Sequence, residues 1–346
     1  MDRPVVQLGA LAKADWPEIA AFARALAEFC KVHVSLDHQV TVQLEPGEIA
    51  LRWTPDRTGV RLVARSDPGL QVLRDTLAHM LDTAREGLSA GLAWQDAGAL
   101  AGQFPPNFRI ARLIRSDRIS PRFQRLRFAA EDIGFLATGG LHLRLLQPAD
   151  PADPVWPRLA ANGRTLWPGA GALHMPVYTI RAIDAAAGWI EVEVFLHGNG
   201  PTCAFAETAR PGARVGLSGP GGGWLPKGAR LCLGGDETAL PVIARILQTA
   251  APDTRGQVMI ELGDPAEIRP LAAPAGVAVT WLMRGRDAPL GAAFGEIASA
   301  ALQADPATEV LFGAEKSEAL ALRSRLKDRV ASLRRGVSVS GYWARG

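Results

Sequence analysis

Chemistry is most legible where a buried-strand run, Leu231-Cys232-Leu233, breaks at Gly234-Gly235. The chain then passes through Asp236-Glu237-Thr238 into a helix with Pro241 in its first turn. A strand that ends in paired glycines and feeds a helix brings free backbone N–H groups to the carboxyl edge of a sheet. Open α/β folds meet nucleotide diphosphates there. The G-x-G-x-x-G spacing of the common dinucleotide fingerprint is absent, and Asp236 and Glu237 also suit a helix dipole. A second segment, Met175-Pro176-Val177-Tyr178-Thr179-Ile180-Arg181, holds one of only two tyrosines in the chain. On a strand, Tyr178 and Thr179 point to opposite faces, so the phenol can stack on a planar cofactor while Arg181 offers charge to a diphosphate. An ordinary barrel strand with a half-buried Tyr fits the same residues. A third segment runs from a strand through His197-Gly198-Asn199-Gly200 into Pro201-Thr202-Cys203, a glycine turn before a short helix. Such a turn leaves N–H groups for an anion, with Thr202 adding a hydroxyl. His197 alone reads as structural. Cys203 reads as a packed thiol, because no general base partners it.

The elements that must position these residues follow from periodicity. Residues 15–29 carry Ile19, Phe22, Leu26 and Phe29 on one helical face behind Asp15-Trp16-Pro17-Glu18. Alternation around 40–44, 49–53 and 60–65 predicts three strands. A helix opening at Asp67-Pro68 then carries Leu70, Leu73, Leu77, Met80 and Leu81. The expected order is α-β-β-β-α within residues 1–97. After a Pro-rich linker, short strands at 108–114, 123–128, 141–146, 177–181, 190–196 and 214–217 predict an antiparallel barrel over residues 107–226, with a surface insertion at 147–174. From 227 to 346, strands near 231–233, 258–262, 277–282 and 309–312 alternate with helices at 238–247 and 317–333, which predicts an open parallel sheet.

Composition narrows the classes. The 346 residues are 48% hydrophobic and 21% charged, the balance of a folded protein. A formal charge of +3 argues against nucleic acid as a partner. Only five of the 38 basic residues are Lys, so the arginine abundance reads as compositional bias. Cys30, Cys203 and Cys232 are too scattered for a disulfide framework or a Cys-ligated cluster. No signal peptide or membrane span is visible, and a cytoplasmic location is expected.

Together with Gly313-Ala314-Glu315-Lys316 and the terminal Gly341-Tyr342-Trp343-Ala344-Arg345-Gly346, these three segments resemble the siderophore-interacting proteins. These are flavin-dependent ferric-siderophore reductases of the ferredoxin-reductase-like superfamily. The elements GDETALP, YT-x-R, HG-x-GP and YW-xx-G occur in the family's order, and the likeness runs from about residue 107 onward. Residues 15–95, including Cys30-Lys31-Val32-His33, are similar to a small α/β domain of unknown function sometimes fused ahead of such reductases. The resemblance implies FAD and NADPH, with NADH as the alternative, and a ferric siderophore as substrate. It implies that Tyr178 and Thr179 contact the isoalloxazine. Arg181, His197, Gly200, Pro201, Thr202 and Cys203 would hold the rest of FAD. Gly235, Asp236, Glu237 and Thr238 would line the nicotinamide path, and Tyr342 and Trp343 would close over it. No side-chain acid or base is required. Lys316, Arg125 and Arg127 are the candidates for an anionic ferric chelate.

For the nucleotide, Glu261 and Asp264 suit a ribose hydroxyl, whereas Arg245, Arg269, Arg284 and Arg286 suit a 2′-phosphate. The absence of a helix after the YW motif resembles the family's NADPH users. Three positions depart from the family pattern. Pro176 stands where an Arg is usual, Phe205 stands near a usual Trp, and Ala344 displaces Arg345 by one. Each lost charge-assisted contact costs about 1.5–3 kcal/mol, or about 10- to 150-fold in affinity. Two other readings follow: a non-enzymatic binder of an iron chelate or partner with weakened flavin affinity, and a general flavin reductase passing electrons to a protein.

Overall fold

The computed structural model describes residues 4–12, 16–17, 19–20, 23, 31–34, 38–95, 100–198, 200–222, 226, 228–329 and 336–345. Its first sheet contains β1 (Val5–Leu11), β2 (Lys31–Val34), β3 (Gln39–Leu44), β4 (Gly47–Trp53), β5 (Thr58–Ala64) and β6 (Leu92–Trp94). Their spatial order is β2-β3-β4-β5-β1-β6. The middle three are the strands that alternation predicts. The flanking three are additions to the expected α-β-β-β-α order. β1 escapes a pattern reading because its polarity is inverted: Val6 and Leu8 are exposed while Gln7 is buried, accepting a hydrogen bond from Arg74 Nε at 2.5 Å. Helix α1 (Asp67–Ala84) is capped by Ser66, whose hydroxyl accepts from Gly69 N at 3.3 Å. It buries Leu70, Leu73, Leu77 and Leu81 against Val42, Ile49, Leu51 and Leu62. Residues 16–17, 19–20 and 23 are helical, with Ile19 and Ala23 buried. Asp15, Glu18, Phe22, Leu26, Phe29 and Cys30 lie outside the described residues.

The second sheet is the expected antiparallel barrel. It comprises β7 (Phe108–Ser120), β8 (Phe123–Ala129), β9 (His142–Pro148), β12 (Leu173–His174), β14 (Ala182–Asp184), β15 (Trp189–Phe195) and β16 (Arg214–Gly221), in the order β12-β9-β16-β7-β8-β15-β14. β13 (Val177–Thr179) also pairs with β9. Helix α2 (Pro201–Thr208) leaves the end of β15. Within the 147–174 insertion, a small hairpin of β10 (Arg158–Leu159) and β11 (Thr165–Leu166) is tied to α1. Asp75 accepts from the Thr165 amide at 3.1 Å and its hydroxyl at 2.7 Å, and Gln71 Nε2 donates to Gly163 O at 3.1 Å. The insertion is therefore no free surface loop: its backbone groups find partners on the N-terminal unit.

The third sheet is wholly parallel: β17 (Arg230–Gly235), β18 (Arg255–Leu262), β19 (Gly276–Met283), β20 (Glu309–Glu315) and β21 (Val337–Trp343), ordered β19-β18-β17-β20-β21. Helices α3 (Leu240–Thr249), α4 (Leu290–Ala304) and α5 (Lys316–Arg329) cover it. β21 was not expected; it makes the YW motif a sheet strand paired with β20. Barrel and parallel sheet share one core, in which Phe123 and Leu141 of the barrel pack with Leu231, Leu240 and Ile243. Arg245 of α3 donates to Leu141 O at 3.0 Å.

Strand order reverses between β17 and β20, and crevices open at such switch points. Gly235 sits at that seam. A Cβ there would overlap Gly313 O and the Ala239 side chain. Gly235→Ala should therefore wedge the two strands apart and cost about 1–3 kcal/mol, read as a lowered urea midpoint at unchanged slope. An unchanged midpoint would refute the close approach.

Candidate functional site

The switch point holds a cleft of about 430 Å³ lined by Asp236, Glu261, Arg284, Glu315, Ser317 and Trp343, among others. Asp236 caps the turn after β17, accepting from Thr238 N at 2.9 Å and from the Thr238 hydroxyl at 2.5 Å. Its other carboxylate oxygen accepts from Trp343 Nε1 at 2.7 Å. One carboxylate thus joins the GDET turn to the terminal strand. Burial pushes the Asp236 carboxyl up, opposed by those hydrogen bonds. Glu237 is buried and accepts from Gly263 N at 2.7 Å and from both terminal nitrogens of Arg284 at 3.0 and 2.5 Å. Arg284 Nε also donates to Glu261 at 2.7 Å. Glu237 therefore braces the end of β18, and the cleft wall carries Asp236, Glu261, Glu315 and Glu318 alongside Arg284 and Arg345.

Tyr342 lies flat over Gly313, where a Cβ would come within 2.8 Å of its ring. Its hydroxyl is 3.2 Å from His142 Nε2, and the two rings meet edge-on at 5.6 Å. His142 is the register partner of Thr179 in the β9–β13 pair. The terminal strand therefore touches the barrel beside the Tyr178-Thr179 pair. Burial pushes the His142 imidazole down to about 4, so it is neutral at pH 7.

A polar cluster gathers at the start of α2. Gly200 is the N-cap with φ +99°, a left-handed conformation that favours glycine, and no side chain caps the helix. Thr202, at the second helical position, receives two approaches. His174 Nε2 lies 3.1 Å from its hydroxyl, and the hydroxyl donates to Gln147 Oε1 at 3.3 Å. Burial pushes the Tyr178 phenol up to about 12. Gln147 Nε2 is buried with no partner among the described residues. Neither His174 nor Gln147 belonged to the sequence-derived site. Their signal was positional: His174 precedes the departure at Pro176 by one pleat. His197 on the loop before α2 and Pro201 at its first position are exposed, whereas Cys203 is buried with its thiol 3.7 Å from Phe195 O.

The expected arginines are engaged elsewhere. Arg181 donates to Gln248 at 2.7 Å and lies 3.3 Å from Glu193. Arg125 pairs with Glu193 at 2.6 Å. Arg127 pairs with Glu191 at 2.7 Å and stacks its guanidinium over Trp189 at 4.1 Å. Arg269 reaches Glu193 at 2.5 Å. Arg269 and Arg245 are thus tied up at the barrel, away from the cleft. β15 presents Glu191 and Glu193 opposite Arg127 and Arg125 in strict register, a pairing that EVE against RLR foreshadows. Lys316 is exposed between Glu315 and Ser317, two residues of the cleft wall. Among the described residues no group of three or more His, Cys, Asp or Glu side chains could hold a metal, and no helix is long and apolar enough to cross a membrane.

Comparison with known proteins bears on this geometry. The family model for the siderophore-interacting FAD-binding domain matches residues 112–224, and that for siderophore-interacting protein matches residues 229–346. A siderophore utilization protein from T. fusca, known by crystal structure, is 32% identical, with a TM-score of 0.57 over 69% of this chain and 93% of that one. The ferric vibriobactin reductase of Vibrio cholerae is 25% identical over 248 residues, 69% of this chain and 90% of that protein. An uncharacterized protein of Mycobacterium tuberculosis is 37% identical over 186 residues, 49% of this chain, and the match spans 64% of that protein's length.

Proposed function

Because this chain belongs to the siderophore-interacting protein family, we propose that it is an FAD-dependent oxidoreductase that uses NADPH or NADH to reduce a ferric siderophore. One observation carries the reading: the Tyr342–His142 contact sets the terminal strand of the parallel sheet against the barrel beside Thr179. Bound FAD would supply hydride acceptance and the release of single electrons. The Tyr178 ring is the stacking surface for it, and Thr179 lies at its edge. The uncapped start of α2, with Gly200, Pro201, Thr202 and Cys203, is the anion site. Asp236, Glu237 and Thr238 shape the nicotinamide path, and Trp343 is fixed over that path by Asp236. Tyr342 excludes water from the seam by filling the space above Gly313.

Iron enters as substrate inside its chelate, so the protein needs no iron ligands of its own. Hard oxygen donors hold Fe(III) more tightly than Fe(II), and reduction therefore loosens the complex. Lys316, exposed at the rim, is the best-placed cation for an anionic chelate. Arg125 and Arg127 are held by Glu193 and Glu191 and serve the barrel first. The dinucleotide choice turns on the end of β19, where Arg284 is held by Glu237 and Glu261 and Arg286 is exposed.

The purified protein should bind FAD, bleach anaerobically with NADPH or NADH, and recover its colour when a ferric siderophore is added. A protein that stays colourless in excess FAD would instead be a binder in the same fold, the reading that Pro176 favours. Tyr178→Ala should weaken FAD binding by about 2- to 10-fold, the scale of one aromatic contact, and should alter the flavin absorption bands. Unchanged affinity and bands would remove Tyr178 from the site.

A further inference from the structure

The strand that carries Tyr178 lacks a cation where the family pattern has one, because Pro176 cannot donate to a phosphate. Positions 174, 176 and 178 are two apart, so they share a face along this extended stretch. The structure shows the consequence: the His174 imidazole reaches the Thr202 hydroxyl at the second position of α2. His174 is the register partner of Gln147, whose Oε1 accepts from the same hydroxyl and whose buried Nε2 has no partner among the described residues. An uncapped helix start, a hydroxyl, an orphaned amide donor and an imidazole therefore converge on one point. That donor set suits the oxygens of a diphosphate.

We infer that His174 supplies the cation that the family pattern places at position 176, so that this protein takes up a proton when it binds the FAD diphosphate. The inference rests on the FAD reading above and goes beyond it by making cofactor loading pH-dependent. The other titratable groups around this point are few. Tyr178 on β13 is neutral because its phenol is raised by burial; Cys203 on α2 is buried, and His197 lies on the loop before α2. Arg144 of β9 pairs with Val177, and so lies on the opposite face of the strand from Tyr178. Partial burial lowers the His174 imidazole in the free protein. A bound diphosphate reverses that shift, since an anion favours the charged ring. Affinity must then rise as pH falls through the range where the free imidazole is neutral and the bound one protonated.

The test is FAD binding by full-length protein, followed by fluorescence quenching and calorimetry at pH 6.0 and 8.0, with riboflavin as the phosphate-free probe. FAD should bind about tenfold more tightly at pH 6.0, and riboflavin equally at both. His174→Ala should bind FAD weakly with no pH dependence, whereas His174→Arg should bind it tightly with none. The His174 ring resonance should titrate at higher pH with FAD present. Equal FAD affinity at both pH values in the wild type overturns the inference and leaves the FAD reading standing. So does loss of the pH dependence in His197→Ala with its retention in His174→Ala. Failure of both wild type and His174→Arg to bind FAD at either pH overturns the two readings together.

Discussion

Replacing Glu193 with alanine is expected to cost about 3–5 kcal/mol of folding stability, because it strands three guanidiniums around a buried site. The Glu193 side chain is 0% exposed and is approached by Arg125 at 2.6 Å, Arg181 at 3.3 Å and Arg269 at 2.5 Å. Arg269 follows β18 in the parallel-sheet half, so the same carboxylate pins that half to the barrel. Glu193→Gln keeps the shape and removes the charge, and should fall between wild type and Glu193→Ala. Urea unfolding of the three proteins decides the matter, with a Glu193→Ala/Arg269→Ala double mutant added to measure coupling. A loss below about 1 kcal/mol in Glu193→Ala would mean that solvent screens the cluster, as it screens surface pairs.

His142 carries the second large effect, and its sign follows from burial. Its imidazole titrates near 4 in the folded protein, against 6.5 when solvated. Between those values the unfolded chain binds the proton and the folded chain does not, so stability falls as pH drops from about 6.5 to 4. Above 6.5 both forms are neutral and the contribution is flat. The full shift corresponds to about 3 kcal/mol at the usual conversion per pKa unit. His142→Gln should remove this dependence, shrinking the stability difference between pH 7 and pH 4.5 by about 2–3 kcal/mol relative to wild type. Identical pH profiles for the two proteins would show that the imidazole is hydrated after all. Because His142 meets Tyr342 across the seam, the same acidification should loosen the terminal strand from the barrel.

Much of the architecture was legible because it follows from local periodicity. The stripe Leu70, Leu73, Leu77, Leu81 declares α1, and GGDET between an apolar strand and an apolar helix declares the β17 turn. Strands whose pattern is inverted or interrupted were not legible. β1 exposes Val6 and Leu8, and β21 reads as a short tail until β20 is available to pair with it. The site divides in the same way. Tyr178 and Thr202 stood out by residue type and spacing, and Asp236 and Trp343 only through the family resemblance. His174 and Gln147 were not, since neither carries a motif and their convergence depends on β12 pairing with β9.

By itself the amino-acid order determined the succession of strand and helix patterns, the glycine turns between them, and the family to which the chain belongs. These are short-range properties, set by backbone freedom and by the period of buried side chains. Tertiary structure decided which charges are available. Glu191 and Glu193 capture Arg127, Arg125, Arg181 and Arg269, Glu237 captures Arg284, and Thr202 gathers His174 beside Tyr178. A side chain's charge is written in its residue type. Whether it is spent inside the fold or left for a ligand depends on neighbours brought in from far along the chain, and only the folded geometry supplies them.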